Sequence, residues 1–297
     1  MVNKFFIALV GTNPLPVYIS ALKVCDNETK AILIHTKGKT LYDEKVIGTK
    51  EVAKNIGDEL HKKISGMDIK LVECDKSDPK RIREVLDNIK ENELKNLQSD
   101  IYIDYTSGTK MMSSTIYMYF KNLEKQNIYK DIYFSYVDNT TSKLLIEKKD
   151  SFGLNKIFEE NDVTIENIIN LHGYKFKEKY EEKELKDMGI KYIDVDTSFT
   201  NGIREISGYK VFCKDFKVCL FKDSVESEKR RCKMELFIMK DDSEKLGGSE
   251  AKMMYRCKCE KEDKEKITDE VVNLCSIDMK HRLKVINEQD DLEKSII

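Results

Sequence analysis

Short apolar runs alternate with helical patterns through the first half of the chain. Five runs are short, largely apolar and rich in β-branched or aromatic residues, which predicts strands buried on both faces. They cover residues 5–10, 31–35, 69–74, 100–105 and 132–137. The segments between them repeat apolar residues at helical spacing, as over 47–64 and from Pro79 onward, where Asp78 is the predicted cap. Strand–helix units in this order predict an α/β domain with a Rossmann-like, parallel, doubly wound sheet.

The pattern changes after residue 150. A run over 143–147 predicts a hairpin at the end of the first sheet, and a short helix is predicted over 164–171. Residues 175–187 are mostly charged, which favours a solvated helix or linker. Strand-like runs then cover 191–195, 209–212, 218–221, 234–239 and 253–257, before a helix near 268–275. We therefore predict a first domain over 1–155, a connector helix and charged linker over 156–189, and a smaller α+β domain over 190–297.

Charge and hydropathy limit the classes of partner. Charged residues make up 36% of the 297 residues, yet the formal net charge is only −2, so any polyanion site must be a local basic patch. No stretch approaches the apolar length of a membrane span. The N-terminal apolar run is short and lacks a cleavage site for a signal peptide. We expect a cytoplasmic protein without a membrane partner.

Cysteine spacing does not indicate a metal site. Six of the eight cysteines follow residue 210, and none of them forms a Cys-x-x-Cys pair. Cys257 and Cys259 are expected on one face of a strand. Buried thiols are therefore favoured, and zinc binding is the less favoured alternative.

The segment after the fourth predicted strand has the chemistry of a phosphate site. It reads Thr106-Ser107-Gly108-Thr109-Lys110 and leads into a helix predicted over 111–123. Glycine lets the backbone approach a ligand, hydroxyls donate hydrogen bonds, and lysine supplies positive charge. The helix N-terminus adds free N–H groups and the positive end of a dipole.

The first predicted strand ends in a matching polar loop, Gly11-Thr12-Asn13-Pro14. Loops at the carboxyl ends of neighbouring strands form the ligand crevice of an open α/β sheet. A binding cleft between the two loops is the favoured interpretation. The alternative is a pair of ordinary turns with helix caps.

Three segments, in the right order, resemble one family. The stretch 104–110, Asp-Tyr-Thr-Ser-Gly-Thr-Lys, resembles the CARF-domain signature Asp-Tyr-Thr-Gly-Gly-Thr-Lys, with Ser107 in place of a glycine. The loop over 11–16 is similar to the first-strand loop of CARF–nuclease effectors of type III CRISPR systems. Residues 165–174 resemble their connector helix.

The resemblance implies a homodimer whose cleft lies across the two-fold axis. The ligand would be a cyclic oligoadenylate made by an activated type III complex. Two-fold symmetry favours an even-numbered ring, with cyclic tetra-adenylate first and cyclic hexa-adenylate second.

The same resemblance implies a restriction-endonuclease-like second domain of the PD-(D/E)xK type, using Mg²⁺ or Mn²⁺. Its pattern is Asn-Glu-apolar-Asp-apolar, a hairpin, then apolar-Glu-x-Lys. Placed on 234–238 and 255–258, the pattern retains Glu235 and Lys258 as catalytic candidates. Phe237 and Arg256 replace the expected carboxylates, so Glu235 would need a substitute metal ligand such as Glu260.

Three functions remain open at this stage. The first is a ligand-gated effector that cleaves DNA or RNA with a metal ion. The second is a messenger-binding or regulatory protein with an inactive nuclease-like domain. The third is a ring nuclease, in which Thr106, Ser107 and Lys110 stabilise charge while the cyclic ligand itself is cut.

Overall fold

The protein is divided into two compact units. The computed structural model describes residues 3–41, 44–46, 48–138, 143–149, 151–157, 163–185, 190–214, 217–275 and 281–286. The first unit is Met1–Asp162 and the second is Val163–Ile297.

The first unit alternates strands and helices as predicted. Its elements are β1 (Lys4–Leu9), α1 (Leu15–Val24), β2 (Thr29–Thr36), β3 (Lys39–Leu41), β4 (Glu44–Val46), α2 (Lys50–Lys63), β5 (Asp68–Cys74), α3 (Pro79–Asn92), β6 (Asp100–Asp104), α4 (Lys110–Lys125), β7 (Asp131–Asp138), β8 (Lys143–Lys148) and β9 (Ser151–Ile157). β3 and β4 pair only with each other. The other strands form one sheet in the order β5-β2-β1-β6-β7-β8-β9.

The sheet has the topology expected of a doubly wound fold. Strands β5, β2, β1, β6 and β7 are mutually parallel, and β8 and β9 extend the sheet in antiparallel pairs. The chain builds outward from β1 through β2 to β5, then returns to the other side of β1 with β6 and β7. The strand order therefore reverses between β1 and β6, which is where ligands bind in open α/β sheets.

Burial follows position in the sheet. The last five residues of the central strand β1 are all buried, whereas the edge strand β5 buries only its last residue. A central parallel strand has neighbours on both edges and helices on both faces, so it loses all contact with water. The unbroken apolar run at 5–10 is a consequence of that position.

The second unit contains a mixed sheet. Its elements are α5 (Ile165–Leu171), β10 (Lys175–Phe176), β11 (Glu182–Leu185), β12 (Ile190–Thr200), β13 (Glu205–Lys214), β14 (Lys217–Asp223), α6 (Lys229–Gly247), β15 (Lys252–Arg256), α7 (Lys261–Cys275) and β16 (Leu283–Ile286). The strand order is β10-β12-β13-β14-β15-β16, and β11 also pairs with β12. Pairs from β10 to β14 are antiparallel, whereas β14, β15 and β16 are parallel.

The strand predicted over 234–239 is wrong, because these residues lie inside α6. The buried positions of this helix include Cys232, Leu236 and Met239, spaced by four and three residues. Phe237 and Ile238 are exposed. The apolar run is therefore distributed around a helix, and only its helical periodicity reports which face is buried.

The charged stretch over 175–187 is not a helix where the structure describes it. Residues 175–176 and 182–185 form β10 and β11, and both strands pair with β12. Edge strands tolerate charged side chains and benefit from them, because charge discourages pairing with other chains. Charge composition alone did not distinguish such an edge from a linker.

No helix in the described ranges combines the length and the apolar character that crossing a membrane requires.

Candidate functional site

Two loops meet where the strand order of the first sheet reverses. β1 and β6 are parallel neighbours, with Ala8 paired to Asp104, so their carboxyl ends lie side by side. A β-carbon placed on Gly11 would lie 3.2 Å from the backbone nitrogen of Gly108 and 3.4 Å from the β-carbon of Ser107. Any side chain at position 11 would therefore push the loops apart. The predicted ligand-binding residues all belong to these loops or to the start of α4: Gly11, Thr12, Asn13, Pro14, Thr106, Ser107, Gly108, Thr109 and Lys110.

Gly108 is required by its backbone conformation as well as by its surroundings. Its φ is +87°, in the left-handed region that favours glycine. A β-carbon here would also lie 3.2 Å from the β-carbon of Leu9. The loop after β6 thus packs directly over the end of β1.

Two of the predicted ligand residues hold the loops in shape. Thr109 caps α4, since its hydroxyl oxygen accepts from the Met112 backbone N–H at 3.2 Å and donates to the Lys76 carbonyl at 2.6 Å. Asn13 plays a similar part at α1, where Oδ1 accepts from the Leu15 N–H at 3.2 Å. These side chains satisfy backbone groups that helix starts leave unpaired.

Other side chains stay available to a ligand. Thr106 is partly committed, because its Oγ1 accepts from the Val137 backbone N–H at 2.8 Å. Thr12 and Lys110 are exposed and Ser107 is half-buried. Within the described part of the chain, the side chains of these three residues make no hydrogen bond or ion pair, and the Ser107 main-chain carbonyl accepts from the Ser113 hydroxyl at 3.0 Å. Two hydroxyls, an ammonium group and a helix N-terminus make a site suited to a phosphate.

A buried carboxylate lies beneath this site. Asp104 is fully buried at the end of β6, where it accepts from the Thr106 backbone N–H at 3.1 Å and from the Ser135 hydroxyl at 3.2 Å. The Ser135 hydroxyl is 3.4 Å from that of Ser20 on α1, which is also buried. Burial raises the pKa of the Asp104 carboxyl to about 6, although these hydrogen bonds oppose the rise. The buried strand predicted over 100–105 includes Asp104, but the sequence identified this residue only as part of the signature at 104–110.

The predicted catalytic residue Glu235 lies on α6 in the second unit rather than on a strand. Its carboxylate accepts from the Tyr255 hydroxyl at 2.6 Å and pairs with the Lys222 ammonium at 3.2 Å. Burial raises the pKa of the Glu235 carboxyl, but hydrogen bonds from Tyr255, Ser224 and Lys222 bring it below its ordinary value. Glu235 is thus an ionised group already held by neighbouring side chains.

The other predicted nuclease residues follow β15. Lys258 and Glu260 are both exposed beyond the end of that strand. Arg256 ends the strand and donates to the Asp223 carboxylate at 3.2 Å. Because Arg256 already neutralises the Asp223 carboxylate, this carboxylate is not available to a metal ion.

The observed hairpin also changes the placement of the nuclease pattern. β13 and β14 form an antiparallel pair that is consecutive in sequence, whereas residues 234–238 and 255–258, on which the pattern was first placed, belong to α6 and to β15 and the residues after it. On β14, the apolar-Glu-x-Lys pattern falls on Cys219-Leu220-Phe221-Lys222, with Leu220 at the carboxylate position. The lysine is present, but the carboxylate position is a fully buried leucine.

Carboxylates do not assemble around the predicted metal ligands. Among the described residues, no group of three cysteine, histidine, aspartate or glutamate side chains includes Glu235 or Glu260. One such group was found there, and it consists of Cys232, Cys257 and Cys259. Mg²⁺ and Mn²⁺ require several oxygen ligands, so the side chains gathered here do not fit either ion.

Comparison with known proteins identifies relatives of this fold. The family model of the Card1 CARF domain matches residues 6–174. Among curated protein sequences, none matches the chain.

Solved structures resemble the chain over nearly its whole length. Can2 from Sulfobacillus thermosulfidooxidans, in complex with cyclic tetra-adenylate, has a TM-score of 0.68 at 11% identity and covers 95% of each chain. Protein VC1899 from Vibrio cholerae has a TM-score of 0.69 at 10% identity, covering 97% of this chain and 94% of its own. A type III CRISPR defence DNA nuclease activated by cyclic oligoadenylate has a TM-score of 0.60 at 13% identity, covering 88% of this chain and 46% of its own. At these identities the likeness establishes the shared fold.

Proposed function

We propose, because this chain belongs to the family of the Card1 CARF domain, that it senses a cyclic oligoadenylate in type III CRISPR defence. The observation that carries the proposal is the contact between the loops of Gly11 and Gly108 at the reversal of strand order. It brings the N-terminus of α4 and the exposed Lys110 close to the loop of Gly11, where a phosphate could bind. Two structures of the same fold are described with cyclic oligoadenylates as bound ligand or activator.

The finer proposal is that two copies bind one ring of cyclic tetra-adenylate. Met111 and Met118 lie seven residues apart on α4 and are both exposed, so they form an apolar stripe that starts beside Lys110. Contiguous exposed apolar surface commonly marks interfaces between proteins, and these two methionines supply the apolar side chains of the surface we propose. A second copy packed there would present its own Lys110 to the same ligand. Two equivalent half-sites fit an even-numbered ring.

Calorimetric titration with cyclic tetra-adenylate and cyclic hexa-adenylate tests this proposal. We expect tighter binding of the tetra-adenylate, at one ring per two chains. Lys110→Ala should weaken binding at least tenfold, because an ammonium group beside a phosphate is lost without any change in the fold. Lys125→Ala is the matched control, since Lys125 is exposed in the last turn of the same helix.

Two results would contradict the proposal. Equal losses for Lys110→Ala and Lys125→Ala would place the ligand away from the two loops. Binding of neither ring by the folded wild-type protein would remove the sensor function altogether.

For the second unit, we propose that the output acts through contact with another macromolecule rather than through Mg²⁺- or Mn²⁺-dependent cleavage. The buried Leu220 in the carboxylate position and the engagement of Glu235 by Tyr255 and Lys222 support this alternative. The ligand-saturated protein should leave labelled single- and double-stranded DNA and RNA intact when Mn²⁺ is added. Cleavage that requires both the ligand and the metal would establish the gated nuclease instead.

The same reaction mixture tests a ring nuclease. Chromatography of the cyclic ligand after incubation without metal should return it unchanged if the first unit only senses it. Linear products that disappear with Ser107→Ala would assign ring cleavage to the two loops of Gly11 and Gly108. Ser107 is the residue to substitute because its half-buried hydroxyl belongs to the loop of Gly108.

A further inference from the structure

Three cysteine thiols converge at the start of α6 in the second unit. Cys232 lies in the first turn of this helix, and Cys257 and Cys259 follow the end of β15. Their three sulfur atoms all lie within 4.8 Å of one another, and the Sγ atoms of Cys232 and Cys259 are 3.4 Å apart. All three side chains are buried.

The spacing suits one thiophilic cation. Zinc–sulfur bonds are about 2.3 Å long, so sulfur atoms around a tetrahedral zinc ion lie roughly 3.8 Å from each other. The Cys232–Cys259 distance of 3.4 Å lies just below that value, and no pair of sulfur atoms is more than 4.8 Å apart. Small inward or outward shifts of the side chains would bring all three sulfurs to bonding distance.

We propose that Cys232, Cys257 and Cys259 bind a zinc ion. Thiolates are soft ligands that select zinc over magnesium or manganese. The N-terminal end of α6 carries the positive end of the helix dipole next to Cys232, which offsets part of the charge of three thiolates. This site differs in both ligands and metal from the Mg²⁺ or Mn²⁺ centre that the nuclease pattern predicts.

A fourth donor to this zinc ion would be an oxygen. No fourth cysteine, histidine or carboxylate joins the group in the part of the chain that the structure describes. Two main-chain carbonyls lie close to the sulfurs, with Glu226 O at 3.8 Å from the Cys232 sulfur and Ser227 O at 3.4 Å from the Cys259 sulfur. A carbonyl or a water molecule would complete a tetrahedron.

The ion would connect three segments that backbone hydrogen bonds already bring together. The turn over 224–228 is tied to the end of β15 by Ser224 N–H donating to Arg256 O at 2.9 Å. Lys258 N–H donates to Glu226 O at 3.1 Å. Zinc bound by Cys232 on one side and Cys257 and Cys259 on the other would fix the start of α6 to both segments.

The test uses the full-length wild-type protein, reduced, stripped of metal and then titrated with Co²⁺. Cobalt bound by thiolates gives an intense sulfur-to-metal charge-transfer band, which carboxylate or imidazole ligands do not give. We expect saturation at one Co²⁺ per chain and full displacement by one Zn²⁺. Zinc should also raise the melting temperature of the metal-free protein.

Variants then assign the ligands. Cys232→Ser should abolish the charge-transfer band and the zinc-dependent rise in melting temperature. Cys219→Ser is the matched control, because Cys219 is buried in the same unit on β14 but is not part of the cluster. The control should retain both signals.

The wild-type titration keeps the test decisive even if Cys232→Ser fails to fold. No charge-transfer band in folded, reduced wild-type protein would overturn the proposal. So would a band that Cys232→Ser retains. Mass spectrometry of the isolated protein that finds a Cys232–Cys259 disulfide, together with no cobalt binding after reduction, would identify the cluster as a redox pair instead.

Discussion

A single buried carboxylate lies under the polar loops of the first unit. Asp104 has no contact with water, and its neighbours are hydroxyl and N–H groups rather than a cation. Its charge is therefore costly in the folded protein, in contrast to an aspartate paired with a base. The free-energy cost of burying the ionised Asp104 carboxylate therefore depends on pH.

We predict that Asp104→Asn changes how stability varies with pH. The pKa of Asp104 is raised from 3.8 to about 6, so the folded state holds the proton more tightly than the unfolded state. Wild-type stability should therefore fall as pH rises from about 4 to about 6, by on the order of 3 kcal/mol, and should lose no more above that range. Asp104→Asn should lack this loss.

Denaturant unfolding of both proteins between pH 4 and 7 measures the effect. Asp58→Asn is the control, since Asp58 is exposed on α2. If the difference in unfolding free energy between wild type and Asp104→Asn were independent of pH, the carboxyl would not have the raised pKa.

Gly108 and Gly66 allow backbone strain to be separated from crowding. Their φ values are +87° and +85°, but a β-carbon on Gly66 would meet no atom within 4 Å, whereas one on Gly108 would meet Leu9. Gly66→Ala should cost about 1 kcal/mol, the usual strain of a left-handed alanine. Gly108→Ala should cost more and should also weaken ligand binding. Thermal unfolding and calorimetry measure the two effects, and equal costs at both positions would show that Leu9 moves aside freely.

At the scale of elements, the start of α4 depends on Thr109. The sequence predicts that this residue contacts the ligand, and in the structure its hydroxyl holds the helix N-terminus and the Lys76 carbonyl. Thr109→Ala should lower the unfolding free energy by about 1 kcal/mol, as expected for a lost cap. Thr109→Ser should restore most of it, because serine retains the hydroxyl. A variant Thr109→Ala that keeps full stability but loses ligand affinity would show a direct ligand contact instead.

The type of an element could be predicted where its sequence pattern fitted only one kind of structure. The runs at 5–10 and 100–105 are short and rich in β-branched or aromatic residues, which favours central strands, and they are β1 and β6. The run at 234–239 admitted two structures. It is apolar enough for a strand, but the buried Cys232, Leu236 and Met239 follow helical spacing. A wider window that included Cys232 carried the missing signal.

At the scale of the whole molecule, the low net charge means that only a local group of cations, such as Lys110, can attract a polyanionic ligand.

The apolar stripe of Met111 and Met118 on α4 is the surface through which we propose that two copies associate. We predict that Met118→Glu yields monomers in light scattering, because it adds a charge to an apolar contact. Met234→Glu is the control, since Met118 is 57% exposed and Met234 is 58% exposed on another helix, α6. Dimers that persist with Met118→Glu would place the interface elsewhere.

The approach of the two loops could be predicted from the sequence, but the cysteine cluster could not, for a physical reason. Gly11 and Gly108 come together because parallel strands end at a common edge, which is a general property of the fold. Cys232 meets Cys257 and Cys259 only because α6 ends and β15 returns along β14. That path depends on the lengths of particular elements and leaves no local spacing to recognise. The same holds for Leu220, since its place in the nuclease pattern was visible only after β13 and β14 were located.

The pairing of β1 with β6 also has a consequence for synthesis on the ribosome. Residues 4–8 pair with residues 100–104, so the loop of Gly11 leaves the ribosomal exit tunnel long before the loop of Gly108 does. A nascent or prematurely terminated chain that lacks β6 cannot form the crevice, however well its first helices fold. Only chains that have reached α4 would compete for the messenger, and fragments from interrupted translation would leave the signal undiminished.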